Sequence, residues 1–203
     1  MYKDLKNNII NTSYQLFMEN GYDQTTVNDI CKACSITKTT FYRYIDSKEE
    51  LLSYFFDDIN ERIDELRTNA KIHQNYVQQI IDAFDLIIEH MLQFKQELYC
   101  QLYISNLKEN KGTFSQINDL KEIVVELIEK AQTTKEIKNP SSPQIIYNVL
   151  EHICFGCGIQ WCLHQIEDVR LEFIQSLEEE GIPMSDDHKD MILRNIDSIT
   201  DIS

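Results

Sequence analysis

The sequence predicts an all-α fold. Three observations carry this: apolar residues recur at helical spacing along most of the chain, N-cap residues precede the apolar runs, and only five Gly and three Pro interrupt 203 residues. That length allows one to two domains and a substantial core.

The elements follow in order. Residues 3–20 place Leu5, Ile9, Ile10, Ser13, Leu16 and Phe17 on one stripe and stop at Asn20-Gly21, a C-terminal signal. Tyr22 follows as an apolar plug. Thr26 caps a second helix with Asp29 three residues on, so Val27, Ile30 and Cys31, with Ala33, turn inward. Thr37 caps a third, anchored by Phe41 and Ile45. Ser47 and Glu50 form the start signal of a long fourth helix running through Leu51, Leu52, Phe55, Ile59, Ile63 and Leu66. Further helices are expected near 74–93, 95–110 and 113–134.

Asn139-Pro140-Ser141-Ser142-Pro143 is the clearest break, with Pro143 suited to a first helical turn. The helix that follows is apolar nearly all round, since 13 of the 19 residues from Ile145 to Leu163 are Ile, Val, Leu, Phe, Tyr, Trp or Cys. Such a helix is covered on both sides, and few elements remain to cover it, so a second subunit is expected there. Tyr147, Leu150, Cys154 and Gly158 form the expected dimer face. Gly156 and Gly158, costly in a helix interior, fit the close approach of another helix. Helices over 168–180 and 186–199 complete the chain. A head of residues 1–47 and a body of 48–203 are the expected domains.

The net charge is -15. Residues 1–50 carry six basic and seven acidic side chains, so nearly all of the excess lies in the body. Salt screens that body from the head beyond roughly 8–10 Å. No run is long and apolar enough to span a membrane, and no secretory signal opens the sequence, so a cytoplasmic protein is expected. Six cysteines in that compartment read as thiols, most of them small core residues.

Residues 25–51 hold the most informative pattern: two short capped helices joined by a tight turn. The second presents Lys38, Thr39, Thr40, Tyr42, Arg43 and Tyr44, with Lys48 beyond it. A solvated helix face is the plain alternative, but the agreement of caps, turn and side-chain type makes double-stranded DNA the first candidate partner. Thr26 and Thr37, at helix starts, suit phosphate. Threonine methyls and hydroxyls reach base edges, while Lys38 and Lys48 are the expected base or phosphate contacts.

This stretch resembles the DNA-binding domain of the TetR family of bacterial regulators. The resemblance rests on Thr25, Thr26, Ile30, Cys31, Ala33, Cys34, Ile36, Thr37, Thr39, Thr40, Tyr42, Tyr44, Ile45, Ser47, Lys48, Glu49 and Leu51, after the lead-in Phe17-x-x-x-Gly21-Tyr22. It departs at the turn glycine, which it places at Cys34. A left-handed backbone is expected there, so that Cys34→Gly would not lower stability.

The resemblance implies a homodimeric repressor reading a palindromic operator, with half-sites about 34–36 Å apart, and releasing it when each body binds a small molecule. Phe84, Ile88, Met91, Tyr99, Tyr103, Phe155 and Trp161 lie on helices that resemble the family's pocket walls. Most such residues are ordinary core; as a set they imply a hydrophobic effector. No cofactor, metal or catalytic group is expected.

Two rival readings remain. Cys154 and Cys157 share a helical face near Cys162 and His164, which suits a thiol or soft-metal sensor. Asp57, Asp58 and Glu61 resemble the magnesium motif of all-α prenyl-transfer enzymes, although no second such motif accompanies them.

Overall fold

Helical periodicity is realised wherever the chain is described: every regular element is helical. The computed structural model describes residues 2–56, 59, 62–63, 75–110, 113–114, 118–179 and 182. The helices are α1 (Tyr2–Asn20), α2 (Val27–Ala33), α3 (Lys38–Tyr42), a 3-10 helix (Glu49–Tyr54), α4 (Tyr76–Leu92), α5 (Gln96–Lys108), α6 (Asn118–Thr133), α7 (Pro143–Cys162) and α8 (Val169–Glu179). The helix expected over 186–199 lies outside the described residues, as do Asp57, Asp58 and Glu61.

The chain divides into two compact units, 1–60 with 90–117, and 61–89 with 118–203. The packing of the first unit continues through the boundary expected after residue 47. Its core explains why. Ile9, Phe17, Ile30, Phe41 and Ile45 bury the inner faces of α1 to α3, and Leu51, Leu52, Phe55 and Phe56 extend that core into the 3-10 helix and the residues after it. The Tyr14 hydroxyl donates to the Leu51 carbonyl at 2.9 Å, tying α1 to that segment. Phe55 packs on Phe94 at 4.7 Å and Tyr99 at 5.7 Å, and its carbonyl accepts from His90 Nε2 at 2.7 Å.

A long regular fourth helix was expected from Ser47. The start signal is present, since the Glu50 N–H donates to Ser47 Oγ at 3.1 Å. The Glu50 carboxylate, however, accepts from the Asp46 N–H and the Tyr54 hydroxyl, not from the Ser47 backbone. The described start is wound as the tighter 3-10 form.

In the second unit α6, α7 and α8 pack around Val124, Ile128, Leu150, Val169, Phe173 and Leu177. Phe84 of α4 meets Phe173 at 5.4 Å. Asp85 of α4 pairs with the buried Arg170 of α8 at 2.5 Å. Pro143 occupies the first turn of α7 as expected.

That helix divides into two faces. Ile146, Tyr147, Leu150, Cys157 and Gly158 are buried within the unit. Ile145, Val149, His152, Gly156, Ile159 and Leu163 recur at helical spacing and are exposed, Leu163 lying just past the helix end. The face expected to meet a partner is therefore corrected. Tyr147, Leu150 and Gly158 are filled by the subunit's own helices, and Tyr147 also packs against Phe84 and donates to Glu151 at 3.0 Å. Cys154 is half-buried beside that face. α6 and α8 claim the side holding Tyr147.

Candidate nucleic-acid interface

Capping chemistry sets the reading head. The Thr26 N–H donates to Asp29 Oδ2 at 3.0 Å, and the Asp29 N–H returns to Thr26 Oγ1 at 3.3 Å, closing the expected box at the start of α2. The Thr26 hydroxyl and its N–H hold the Asp29 carboxyl below its ordinary value. A carboxylate thus already occupies the helix start that was expected to suit phosphate, which leaves Thr26 a positioning group first. Thr37 caps α3 by accepting from the Thr40 N–H at 3.1 Å, and its hydroxyl lies 3.0 Å from that of Thr40.

With Phe41 and Ile45 fully buried, the opposite face of α3 is turned outward. Thr26, Thr37, Lys38, Thr39, Tyr42 and Arg43 are exposed, and Thr40, Tyr44 and Lys48 are half-buried. Arg43 lies over the Tyr44 ring at 5.1 Å, which gives it a direction that the sequence left open. Lys38, Thr39 and Tyr42 are the exposed residues within α3 itself.

Lys48 has a second occupation that sequence reasoning missed. Its ammonium donates to the carbonyls of Tyr22 at 2.9 Å and Thr25 at 3.2 Å and sits 4.1 Å from the Tyr22 ring centre. Two of its three donors are spent fastening the α1–α2 corner to the segment after α3. An aromatic residue following the helix-ending glycine was the available signal.

The left-handed residue of the turn is Ser35, with φ of 55°, not Cys34, which is right-handed at φ of -80°. In the family pattern two residues and then an alanine separate the pair matched by Ile30 and Cys31 from the glycine, so the alanine falls on Cys34 and the glycine on Ser35. The expectation for Cys34→Gly is thereby reversed: Cys34 closes α2 with a right-handed backbone that needs no glycine, so the change frees the unfolded chain and should cost about 0.4–1 kcal/mol. Ser35→Gly should instead stabilise the chain by about 1 kcal/mol, because a left-handed L-residue stores about 1–2 kcal/mol, partly offset by the freer unfolded chain. Urea denaturation of the two variants beside the parent measures both signs.

The seven residues expected around an effector are divided between the units. Met91, Tyr99 and Tyr103 belong to the first, where Tyr99 and Tyr103 pack edge-on at 5.1 Å. Phe84, Ile88, Phe155 and Trp161 belong to the second. Phe84 and Ile88 are core, while Phe155 and Trp161 are half-buried on α7.

The thiol pair shows no sign of activation. Burial, reinforced by Cys157, pushes the Cys154 thiol up to about 12, and burial pushes Cys157 up to about 11. Both move away from the thiolate form that reacts or binds metal. His164 adopts a left-handed backbone just past α7, and no group of three metal-ligating side chains occurs among the described residues.

A capped two-helix motif on a three-helix head, with a polar and aromatic second helix turned outward, is the DNA-reading module of helix-turn-helix transcriptional regulators. Comparison narrows the class. The family profile described as "Bacterial regulatory proteins, tetR family" matches residues 9–55. The negative regulator IcaR of the Staphylococcus aureus biofilm operon is 30% identical over 138 residues, covering 66% of this chain and 73% of that one. The uncharacterised regulator YuxN of Bacillus subtilis is 36% identical over 93 residues, and the match spans about a third of its length, 32%, and 43% of this chain. Among solved structures, the TetR-family repressor FadR of Thermus thermophilus with lauroyl-CoA superposes with a TM-score of 0.67 at 18% identity, covering 89% of this chain and 96% of that one. FadR of Bacillus subtilis with stearoyl-CoA superposes at 0.63 and 18% identity, covering 84% and 95%. The chain belongs to the TetR family of bacterial transcriptional regulators.

Proposed function

We propose that this regulator is a cytoplasmic homodimeric repressor, without enzymatic activity, that leaves a palindromic operator when its body binds a small hydrophobic molecule. The observation that carries the DNA reading is the exposed set Lys38, Thr39 and Tyr42 above the buried anchors Phe41 and Ile45. Thr37, Thr40, Arg43 and Tyr44 flank that set, Thr26 positions α2, and Lys48 has one donor left for phosphate. No helix among the described residues is long and apolar enough to cross a membrane, which fits a protein that works on DNA.

The test is fluorescence anisotropy with duplexes tiled across the promoter next to its own coding sequence. A palindrome should bind one dimer. Lys38→Ala should weaken binding at least tenfold and flatten the salt dependence of log K by about two units, one phosphate contact being lost from each head. Tyr42→Ala should weaken binding by about 1–3 kcal/mol with the salt slope unchanged. Retention of full affinity in both variants would remove α3 as the reading element.

Two copies are joined through the open stripe of α7, Ile145, Val149, His152, Gly156, Ile159 and Leu163. Nothing lies within 4 Å of a Cβ added at Gly156, leaving that spot open to a second helix. For the effector, Phe155 and Trp161 are the positions to test first, because they are half-buried where Phe84 and Ile88 are filled core. Two structures that share this fold hold lauroyl-CoA and stearoyl-CoA, so long-chain acyl-CoAs head the hydrophobic compounds to screen for release of DNA.

A further inference from the structure

The last turn of α2 carries two free thiols that DNA reading leaves unused, Cys31 and Cys34. Cys34 closes the helix with φ of -80° and ψ of -4°, and its N–H still donates to the Ile30 carbonyl at 2.9 Å. The pair therefore keeps helical spacing. A rise of about 1.5 Å per residue on a radius of about 2.3 Å puts Cα atoms three residues apart at about 5 Å. That lies inside the window of roughly 4.4–6.8 Å that a disulfide accepts. Their Cβ atoms stand about 5–6 Å apart, whereas the bond needs about 3.5–4.5 Å. Closing it must draw Cys34 toward Cys31 by roughly 1–2 Å.

The end of a helix can give by that much, and here the movement has a direction. Beyond Cys34 come Ser35, left-handed at φ of 55°, and Ile36, whose N–H donates to the Cys31 carbonyl at 2.9 Å. Thr37, the cap of α3, follows at once. A shift of Cys34 thus reaches the start of α3 through two residues. Cys154 and Cys157 share the same spacing but lie within α7, where helical backbone on both sides holds them apart. Access sets the order of reaction. Cys34 is half-buried and can meet a solute, while Cys31 is 6% exposed. Burial raises the Cys31 thiol and the neighbouring Cys34 adds to the rise, with Lys38 of α3 opposing it. Cys31 is suited to the second step.

We propose that Cys31 and Cys34 are a redox-active dithiol, oxidised by a low-molecular-weight disulfide to a bond within the last turn of α2, and that this bond displaces α3 and weakens its hold on DNA. The Cys34 thiolate attacks one sulfur of the small disulfide, forming a mixed disulfide and expelling a thiolate. Cys31, giving up its proton to that thiolate, then attacks the Cys34 sulfur and expels the second thiol. Two electrons and two protons pass from the pair to the small disulfide, which leaves as two thiols. Transient sensing disulfides of this kind are the sort that a reducing compartment permits. The effect on DNA rests on the reading of α3 proposed above.

The experiment treats the full chain with oxidised glutathione at millimolar concentration, blocks the remaining thiols under denaturing conditions and maps tryptic peptides by mass. Trypsin cuts at Lys32, between the two cysteines, so the expected bond appears as two joined peptides. Cys154 and Cys157 should be recovered as blocked thiols. Cys31→Ala should stop at glutathione held on Cys34. Cys34→Ala, which installs the family's own residue, should leave Cys31 unmodified. If Cys31→Ala fails to fold, the joined peptides and Cys34→Ala decide. Fluorescence anisotropy on the operator palindrome should show the oxidised parent at least tenfold weaker than the reduced one, with dithiothreitol restoring it and Cys34→Ala binding alike before and after treatment. The proposal is overturned by absence of the joined peptides, by oxidation of Cys154 with Cys157 to the same extent, or by unchanged operator affinity once the bond has formed. A reduced parent that binds no duplex counts against the reading of α3, and the joined peptides then decide the dithiol by themselves.

Discussion

Replacing Ile159 by glutamate is expected to convert the regulator into a folded monomer and to weaken operator binding by about 10²–10⁴-fold, the gain that tethering two reading heads supplies. Ile159 is 46% exposed in the isolated subunit, so a charge there costs the fold little, within about 0.5 kcal/mol. In a dimer packed through the stripe from Ile145 to Leu163, the same two carboxylates would be desolvated without partners. Sedimentation velocity at micromolar concentration gives the assembly state, and circular dichroism confirms the helices. Gly156→Ala supplies the opposite sign within one stripe. It should stabilise the separated subunit by about 1 kcal/mol, as alanine does over glycine in a helix interior, while loosening the dimer by crowding the approach of the partner helix. A dimer that survives Ile159→Glu would place the contact surface elsewhere.

The correction of that surface shows where sequence reasoning stops. Composition shows that α7 is apolar nearly all round, which led to the expectation of cover on both sides. It could not say which side the subunit covers for itself, because that depends on how α6 and α8 return across it, and their own apolar stripes fit either choice. Tyr147 and Ile145 look alike in a helical pattern; only the packing of Phe84 and Glu151 distinguishes them. The reading head was more legible. Caps are local, so Thr26 with Asp29 and Thr37 with Thr40 follow directly from spacing, and Phe41 and Ile45 follow from the period. Ser35 was missed by one residue, since a pattern matched by residue type tolerates a slip that a backbone angle does not. Lys48 was read as a surface cation because its partners are carbonyls, and carbonyls leave no mark in a sequence.

The buried pair of the second unit carries the largest expected effect on stability. Arg170 is 3% exposed and its Nε lies 2.5 Å from Asp85 Oδ1, whose side chain is 28% exposed. Burial is the strongest influence on the Asp85 carboxyl and raises it. Arg170 pulls the other way, and Glu89 and Asp82 add to the rise. Arg170→Met keeps most of the packed stem and removes the only opposing influence. The expected loss is about 3 kcal/mol at pH 7.5, the low end for breaking a buried pair because Asp85 keeps some contact with water. The loss should depend on pH in a definite direction. A carboxyl raised in the folded state binds its proton more tightly there than in the unfolded chain. Its contribution is therefore most favourable below the unfolded value, about 3.9, and is lost as pH climbs through the folded one. The variant should recover part of its deficit between pH 7.5 and pH 5, and the parent, with its smaller rise, should change less. Adding Asp85→Asn to Arg170→Met should restore most of the stability at pH 7.5, since no unpaired charge then remains. Urea denaturation at the two pH values decides. A deficit that stays constant across that range, or a double variant no better than the single, would mean that lost packing around the Arg170 stem, rather than the stranded Asp85 charge, causes the effect.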